Sequence, residues 1–331
     1  MDDTAHERDV SGVTKEPLVS IIIPAYKVAP FIKETLNSVF AQTFADYEAI
    51  VINDGSPDTE KLEGTLEPYR SRILYIRQDN RGAGAARNAG LRAARGRFIA
   101  FLDGDDVWLP NFLSEQVRLI QSDNGYDLVY ADAVNFGDPA WAGLKSMKTN
   151  PSEGEVTFES LLAGQCCVIT SAVLARRDLI MQVGLFDEDF PNSQDFDLWL
   201  RLARDAKARI TYQRKVLVRR RIYEGSLARD AVKSFNGELR VLEKVSRRAD
   251  LTSRERTTLE RTVAIRRTSA EVIRGKRFLL SGDFADSVRS FESANACIPS
   301  WKLRLVLWAL RVAPRVTRQL YRVQESRSGN A

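Results

Sequence analysis

The chemistry-bearing residues of this chain concentrate where one apolar run stops. Phe98-Ile99-Ala100-Phe101-Leu102 is wholly apolar and gives way to Asp103-Gly104-Asp105-Asp106, three carboxylates within four residues. A short apolar run of this kind reads as a buried strand. In an open α/β sheet, ligands bind beyond the carboxyl ends of the strands. Acids set so close repel one another unless a cation or a donor neutralises them. Hard divalent cations take oxygen ligands, and Mg²⁺ is held by one or two carboxylates together with substrate phosphates. The stretch therefore points to a metal–phosphate site. The plainer reading is an Asp-rich turn capping the helix that follows.

Other residue types narrow the chemistry. The one histidine, His6, lies in a polar segment, Met1 to Glu16, that lacks the apolar core of a signal peptide and reads as a disordered leader. General-base duty and metal binding then fall to Asp and Glu. The three cysteines, Cys166, Cys167 and Cys297, include an adjacent pair that cannot easily bridge to itself, which predicts a reducing compartment and no disulfide framework. No stretch of about 18 apolar residues occurs, so no transmembrane helix is expected. With 331 residues, 44% hydrophobic and 28% charged, two globular domains are expected. The net charge of +5 hides an asymmetry: from Arg201 onward there are 31 Lys and Arg against 13 Asp and Glu, and before it 18 against 31. A basic rear half suits an anionic partner or a solvated helical surface equally well.

These residues need a scaffold, and the front half supplies one. Strand signals at Val19–Ile23, Tyr47–Ile52, Ile73–Ile76, Arg97–Leu102 and Asp127–Ala131 alternate with helical spacing at Phe31–Phe40, Thr59–Tyr69, an Ala-rich run ending at Arg95, and Phe112–Ile120. That alternation predicts a mainly parallel sheet with helices on both faces. Gly96 is expected as the left-handed residue closing the Ala-rich helix. Two strands would end in acids, at Asp54 and Asp103, on one sheet edge. Residues 137–158 read as an excursion loop of the kind that shapes acceptor sites. A further helix opens at Gln194-Asp195, with Ser193 as its expected N-cap and Asp195 in the first turn, where the helix dipole favours a carboxylate.

Beyond about residue 230 strand signals stop. Val232–Leu280 reads as helical, and Gly275–Ser290 resembles one tetratricopeptide-like hairpin without a second copy. Trp301–Val323 is amphipathic and basic, interrupted at Pro314, and suits an anionic membrane surface, although packing on the preceding helices would serve it as well. Arginines without an aromatic stacking motif give no specific case for nucleic acid. Gly82-Ala83-Gly84-Ala85-Ala86-Arg87 begins like a dinucleotide fingerprint but ends in Arg, and a lone partial match is weak.

Four segments occur in a telling order: Val19-Ser20-Ile21-Ile22-Ile23-Pro24-Ala25-Tyr26, Asn53-Asp54-Gly55-Ser56, Ala86-Arg87-Asn88-Ala89-Gly90 and Phe101-Leu102-Asp103-Gly104-Asp105-Asp106, followed by Gln194-Asp195. From about Leu18 to Leu227 the chain resembles glycosyltransferase family 2, inverting enzymes with the GT-A nucleotide-sugar fold. The resemblance implies an α/β domain over 17–230, a Rossmann-like mixed and mainly parallel sheet, leaving an all-helical region over 231–331. It implies that Pro24, Ala25, Tyr26, Asp54, Arg81, Arg87, Asp103 and Gly104 bind the nucleotide sugar. Asp103 and Asp105 would be the DxD pair for Mg²⁺ or Mn²⁺, Asp106 a supporting group, and Asp195 the general base. Gln194 stands where the family usually has Glu, and Tyr223 where it often has a histidine. Tyr223 and Ser226 are expected to close over the diphosphate. The implied partners are a nucleoside diphosphate sugar donor and a glycan or lipid-linked glycan acceptor. The implied setting is cell-surface polysaccharide or lipopolysaccharide synthesis in the cytoplasm, peripheral to the cytoplasmic face of the inner membrane. A non-catalytic sugar-nucleotide-binding scaffold is the rival reading, and a nucleotidyltransferase would want a Gly-rich loop and lysine after the first strand, where Pro24-Ala25-Tyr26 stands.

Overall fold

A computed structural model describes residues 16–226 and 229–328, with side chains to Val323. The expected leader, but for Glu16, lies outside the described residues. Strand alternation organises the centre of the molecule. In β1 (Val19–Ala25) and β2 (Tyr47–Asp54), Ile22, Ile50 and Ile52 enter one hydrophobic core, whereas Val19, Ile21, Ile23, Ala49 and Val51 enter another. Successive side chains point to opposite faces of a sheet. A strand covered on both faces must be apolar throughout, which is why these strands read as continuous runs.

The sheet has eight strands in the order β3-β2-β1-β4-β7-β6-β8-β5, adding β3 (Ile73–Gln78), β4 (Phe98–Phe101), β5 (Val107–Trp108), β6 (Leu128–Gly137), β7 (Val173–Arg176) and β8 (Ile210–Ile222). Strands β1 to β4 run parallel, as do β6 and β8, while β7 runs antiparallel to both its neighbours and β5 antiparallel to β8. The helices α1 (Ile32–Phe40), α2 (Thr59–Leu66) and α4 (Phe112–Ile120) cover one face. The other carries α3 (Ala83–Ala93) and α8 (Gln194–Arg204). Between β6 and α8 lie α5 (Ser146–Thr149), α6 (Phe158–Leu162) and α7 (Arg177–Gln182). This is the mixed α/β sheet, with helices on both faces, that the sequence predicts.

The helical rear comprises α9 (Ala231–Ser246), α10 (Ser253–Ser281), α11 (Phe284–Cys297), α12 (Trp301–Val312) and α13 (Pro314–Ser328). Val241, Leu242, Val245, Leu251 and Leu259 join the same core as α3 and α8, so this layer leans directly on the sheet domain. A third core, built on Leu279, Phe291, Leu307 and Leu310, holds the outer helices together. The helical hairpin of α10 and α11 turns at Gly282 (φ 94°), with the Ser287 hydroxyl donating to Gly275 O at 2.9 Å.

Several local expectations are corrected. β7 and β8 were not legible as strands, and the excursion loop is partly the end of β6 and two short helices. The helix predicted from Val232 breaks at residues 247–252, where Thr252 and Glu255 form a capping box for α10. Gly96 has no positive φ; it is glycine because a Cβ there would stand 2.5 Å from Ser20 N on β1. Ser193 does not cap α8 through its side chain, because its own backbone is left-handed (φ 61°).

Candidate active site

The parallel register brings the carboxyl ends of β1, β2 and β4 to one edge, with Ala25 opposite Asn53 and Ile22 opposite Phe101. The chain leaving β4 therefore turns beside Pro24. A Cβ at Gly104 would lie 2.9 Å from Pro24 O, so the turn between the acids has room for glycine alone. Thr35 Oγ1 donates to Gly104 O (3.0 Å) or Asp106 O (2.8 Å), fixing the turn from α1.

Each acid of the turn has a distinct environment. Asp103 faces outward and accepts from Arg87 at 2.6 Å, while its own N–H donates to Ser171 Oγ at 3.1 Å. Arg87 is only 5% exposed, with its guanidinium over the Phe186 ring. Burial, and next the charge of Asp103, push Asp105 up to about 6, although the Tyr223 hydroxyl bonds it and opposes the shift. Asp106 is buried. Burial and then the charges of Asp105 and Asp103 raise it well above the usual carboxylate range, against the Ser171 hydroxyl and the Arg221 N–H (2.8 Å). Arg221, at the end of β8, also donates to Asp105 O at 2.9 Å and pairs with Glu34. Tyr223 packs on Phe31 with ring centroids 4.9 Å apart, and Ser226 N donates to Tyr223 O at 3.0 Å.

At the end of β2, Asp54 is sealed at 2% exposure. Its oxygens accept from Gln78 Nε2 (2.7 Å), Arg81 N (3.0 Å) and Gly82 N (2.8 Å), so it braces the loop that opens α3. An ionised carboxylate offers about four acceptor sites, which leaves about one unused. Tyr26 is exposed beside Lys27, and Ala25 is buried in the sheet core. Arg81 points outward and pairs with Glu188 at 2.6 Å; Asn88 binds the same carboxylate and clamps Phe186 to α3.

Asp195 sits in the first turn of α8. Its oxygens accept from Thr170 Oγ1 (2.7 Å) and Phe196 N (2.9 Å). Thr170 and Ser171 are consecutive, so Asp195 and Asp103 are held by neighbouring residues of one 3₁₀ turn. The rear helices complete this corner. A Cβ on Gly237 of α9 would stand 2.6 Å from Asn192 Oδ1 and Ser193 Oγ, and Asn192 donates to Lys233 O at 2.7 Å. Glu238 pairs with Arg266 at 2.6 Å; burial raises its carboxyl, Arg266 opposes, and the charge of Asp195 adds to the rise. Gln194 is buried, with an Oε1 that has no hydrogen-bond partner among the described residues.

Contacts run from Pro24 through the turn at Asp103–Asp106 to Tyr223, and from Asp103 through Ser171 and Thr170 to Asp195. Arg87 and Asp54 are buried, and Arg81 is exposed. Thr170, Ser171, Arg221 and Gly237 carry parts of the site that sequence reasoning missed. The two hydroxyl residues belong to no periodic segment, and Arg221 lies in an unrecognised strand.

Residues 20–184 match the profile of glycosyl transferase family 2. The chain is 33% identical over 189 residues to UDP-Glc:alpha-D-GlcNAc-diphosphoundecaprenol beta-1,3-glucosyltransferase WfgD of Escherichia coli, covering 57% of this chain and 70% of that protein. It is 30% identical over 224 residues to an uncharacterized glycosyltransferase of Rickettsia prowazekii, covering 65% and 67%. The chain spans only 37% of the length of similar glycosyltransferases from Rickettsia felis and Rickettsia conorii. Among solved structures, S. aureus TarS 1-349 shares the fold with a TM-score of 0.60 at 19% identity, over 93% of this chain and 91% of that one; it has also been solved with UDP-GlcNAc. Mannosyltransferase PcManGT from Pyrobaculum calidifontis, in complex with GDP-Man and Mn²⁺, matches with a TM-score of 0.59 at 17% identity, over 96% and 87%. By profile, and by identity to relatives covered over two thirds of their length, the chain belongs to glycosyl transferase family 2.

Proposed function

We propose that this protein is an inverting, metal-dependent glycosyltransferase that moves a sugar from a nucleoside diphosphate sugar to an acceptor hydroxyl in bacterial cell-surface glycan synthesis. One observation carries the reading: the neighbouring side chains Thr170 and Ser171 bond Asp195 and the Asp103 backbone respectively. Adjacent Cα atoms are ~3.8 Å apart, and this supports a reading in which the candidate base and the diphosphate-side acids are anchored to one short turn.

Asp103 and Asp105 would hold Mg²⁺ or Mn²⁺. The donor set fits. Both are hard oxygen ligands, and a divalent cation would offset the burial and the Asp103 charge that raise Asp105. Among the described residues no group of three or more His, Cys, Asp or Glu could hold a metal, so the remaining ligands would come from the diphosphate and water. When bound, the ion neutralises charge on the departing nucleoside diphosphate.

The chain's own residues divide the rest of the work. Asp54 braces the loop at Arg81 and Gly82 beside the base, and Pro24 and Tyr26 line that pocket with Ala25 buried behind them. Arg87 fixes Asp103 toward the ribose or metal, and Arg81 stands at the diphosphate rim. Tyr223 and Ser226 close over the diphosphate, with the Tyr223 hydroxyl exchanging its bond to Asp105 for one to phosphate. Asp195 takes the proton of the acceptor hydroxyl as that oxygen attacks the anomeric carbon opposite the leaving group. A single displacement inverts the configuration. The acceptor is a glycan or lipid-linked glycan, met at the cytoplasmic face of the inner membrane.

The test is a screen of UDP-, GDP- and dTDP-sugars with Mn²⁺ for release of the nucleoside diphosphate. Wild type is expected to hydrolyse one donor slowly and to transfer to a matching acceptor with inversion. Asp195→Asn should lose transfer by ~10²–10⁴-fold, the range for a positioned base, while binding the donor normally. Transfer at the wild-type rate by Asp195→Asn would remove the base from the mechanism, and binding without turnover of any donor would favour the scaffold reading.

A further inference from the structure

Helix α12 is apolar on two faces. Leu303, Val306, Leu307 and Leu310 turn inward onto the core around Leu279 and Phe291. Trp301, Leu305, Trp308 and Val312 turn outward, and α13 prolongs the row with Val316 and Leu320; all six are 54–72% exposed. Steps of three and four residues keep such a row on one side of a helix. An apolar helix face is normally buried, yet among the described residues nothing covers the outer row.

The border of this row is cationic throughout. No Asp or Glu occurs between Trp301 and Gln324. No ion pair of Lys302, Arg304 or Arg315 is seen among the described residues, while Arg318 and Arg322 donate to the neutral carbonyl of Leu280. Among the described residues Arg311 alone of this set meets a carboxylate, that of Glu292. Beside Trp308 a surface hollow of about 370 Å³ has Arg304, Arg311 and the Glu292 carboxylate in its wall. A second copy of the chain would set like charge against like. An anionic bilayer complements both the charge and the apolar row. No helix is long and apolar enough to cross a membrane among the described residues, so the geometry is that of a helix lying in the interface.

We propose that the outer face of α12 and α13 docks in the plane of an anionic lipid bilayer, with Trp301 and Trp308 seated among the headgroups. This rests on the proposed membrane setting of the acceptor for its purpose, but binding is measured without turnover. The full chain is mixed with vesicles of phosphatidylglycerol and phosphatidylcholine, or of phosphatidylcholine alone, and followed by co-sedimentation and tryptophan emission. Binding to the anionic vesicles is expected, with a blue shift and a steep decline in salt. A variant combining Trp301→Ser, Trp308→Ser, Val316→Ser and Leu320→Ser should bind at least tenfold more weakly. Replacing Lys302, Arg304 and Arg315 with Gln should weaken binding about fivefold for each cation, the equivalent of about 1 kcal/mol apiece.

An unchanged thermal transition shows that each variant is folded. Nucleotide binding with Mn²⁺, measured on the same preparations, is expected to match wild type, so failure of docking and failure of the glycosyltransferase reading are separate results. The proposal is overturned if the full chain stays in the supernatant with anionic vesicles, or if the apolar variant binds like wild type. It is also overturned if that variant instead dissolves a dimer of a chain that ignores vesicles.

Discussion

Arg87 illustrates how a residue beneath a site can govern one within it. Its guanidinium is buried, donates to Asp103 at 2.6 Å, and leaves Nε without a partner among the described residues. The planar fork both reaches the carboxylate and lies over Phe186, which the compact ammonium of lysine cannot do. Arg87→Lys is therefore expected to lower kcat/KM roughly ten- to hundredfold, since small displacements of positioned groups carry costs of that size. Arg87→Met should also lower thermal stability, by about 1–3 kcal/mol. Removing one member of a buried pair costs ~3–5 kcal/mol, reduced here because Asp103 faces solvent and is screened. Steady-state kinetics with a thermal melt separates the two effects.

At the scale of elements, the N-terminus of α8 is positioned by α9 as much as by its own sequence. Gly237 leaves no room for a methyl group against Asn192 and Ser193. Gly237→Ala should shift the turn that presents Asp195 and reduce kcat by about tenfold or more, with donor KM little changed and overpacking costing ~1–3 kcal/mol of stability. A matching loss in donor binding would show a wider rearrangement. At the opposite edge of the sheet, Glu48 accepts from Ser20 Oγ (2.6 Å), Arg95 N (2.8 Å) and the Arg95 guanidinium. Burial alone would raise its carboxyl, but the Ser20 and Arg95 bonds hold it below the usual range. A depressed folded value means the contribution is whole above the unfolded value of ~4.3 and fades as pH falls through the folded one. Wild type should therefore lose Tm more steeply than Glu48→Gln as pH drops from about 5 toward 3, in a melt series across that window.

Legibility followed the same physics. β1 and β2 could be read because burial on both faces forces apolar runs, and α1 and α4 because their inner faces repeat at helical spacing. β8 could not, since Arg214, Lys215, Arg219, Arg220 and Arg221 break any period, and its pairing with β6 and β5 makes it a strand. Carboxylates at strand and helix ends single out Asp103, Asp105 and Asp195 as candidates from sequence alone. The loop-bracing role of Asp54 and the roles of Thr170 and Ser171 exist only in three dimensions.

For the whole molecule, a sheet domain whose edge carries the acids and a helical layer that packs behind Asp195 meet in one of the hydrophobic cores, and the outer helices carry the basic surface. The charge asymmetry along the chain follows that division. The account depends on the acids having separate tasks in a common cleft, Asp105 toward metal and diphosphate and Asp195 toward the acceptor. Calorimetric titration of wild type, Asp105→Asn and Asp195→Asn with the nucleoside diphosphate selected by the donor screen, with and without Mn²⁺, tests this most directly. The account predicts that Mn²⁺ strengthens binding to wild type and Asp195→Asn alike, and that Asp105→Asn loses this enhancement by tenfold or more. Mn²⁺-enhanced binding undiminished in Asp105→Asn would contradict it.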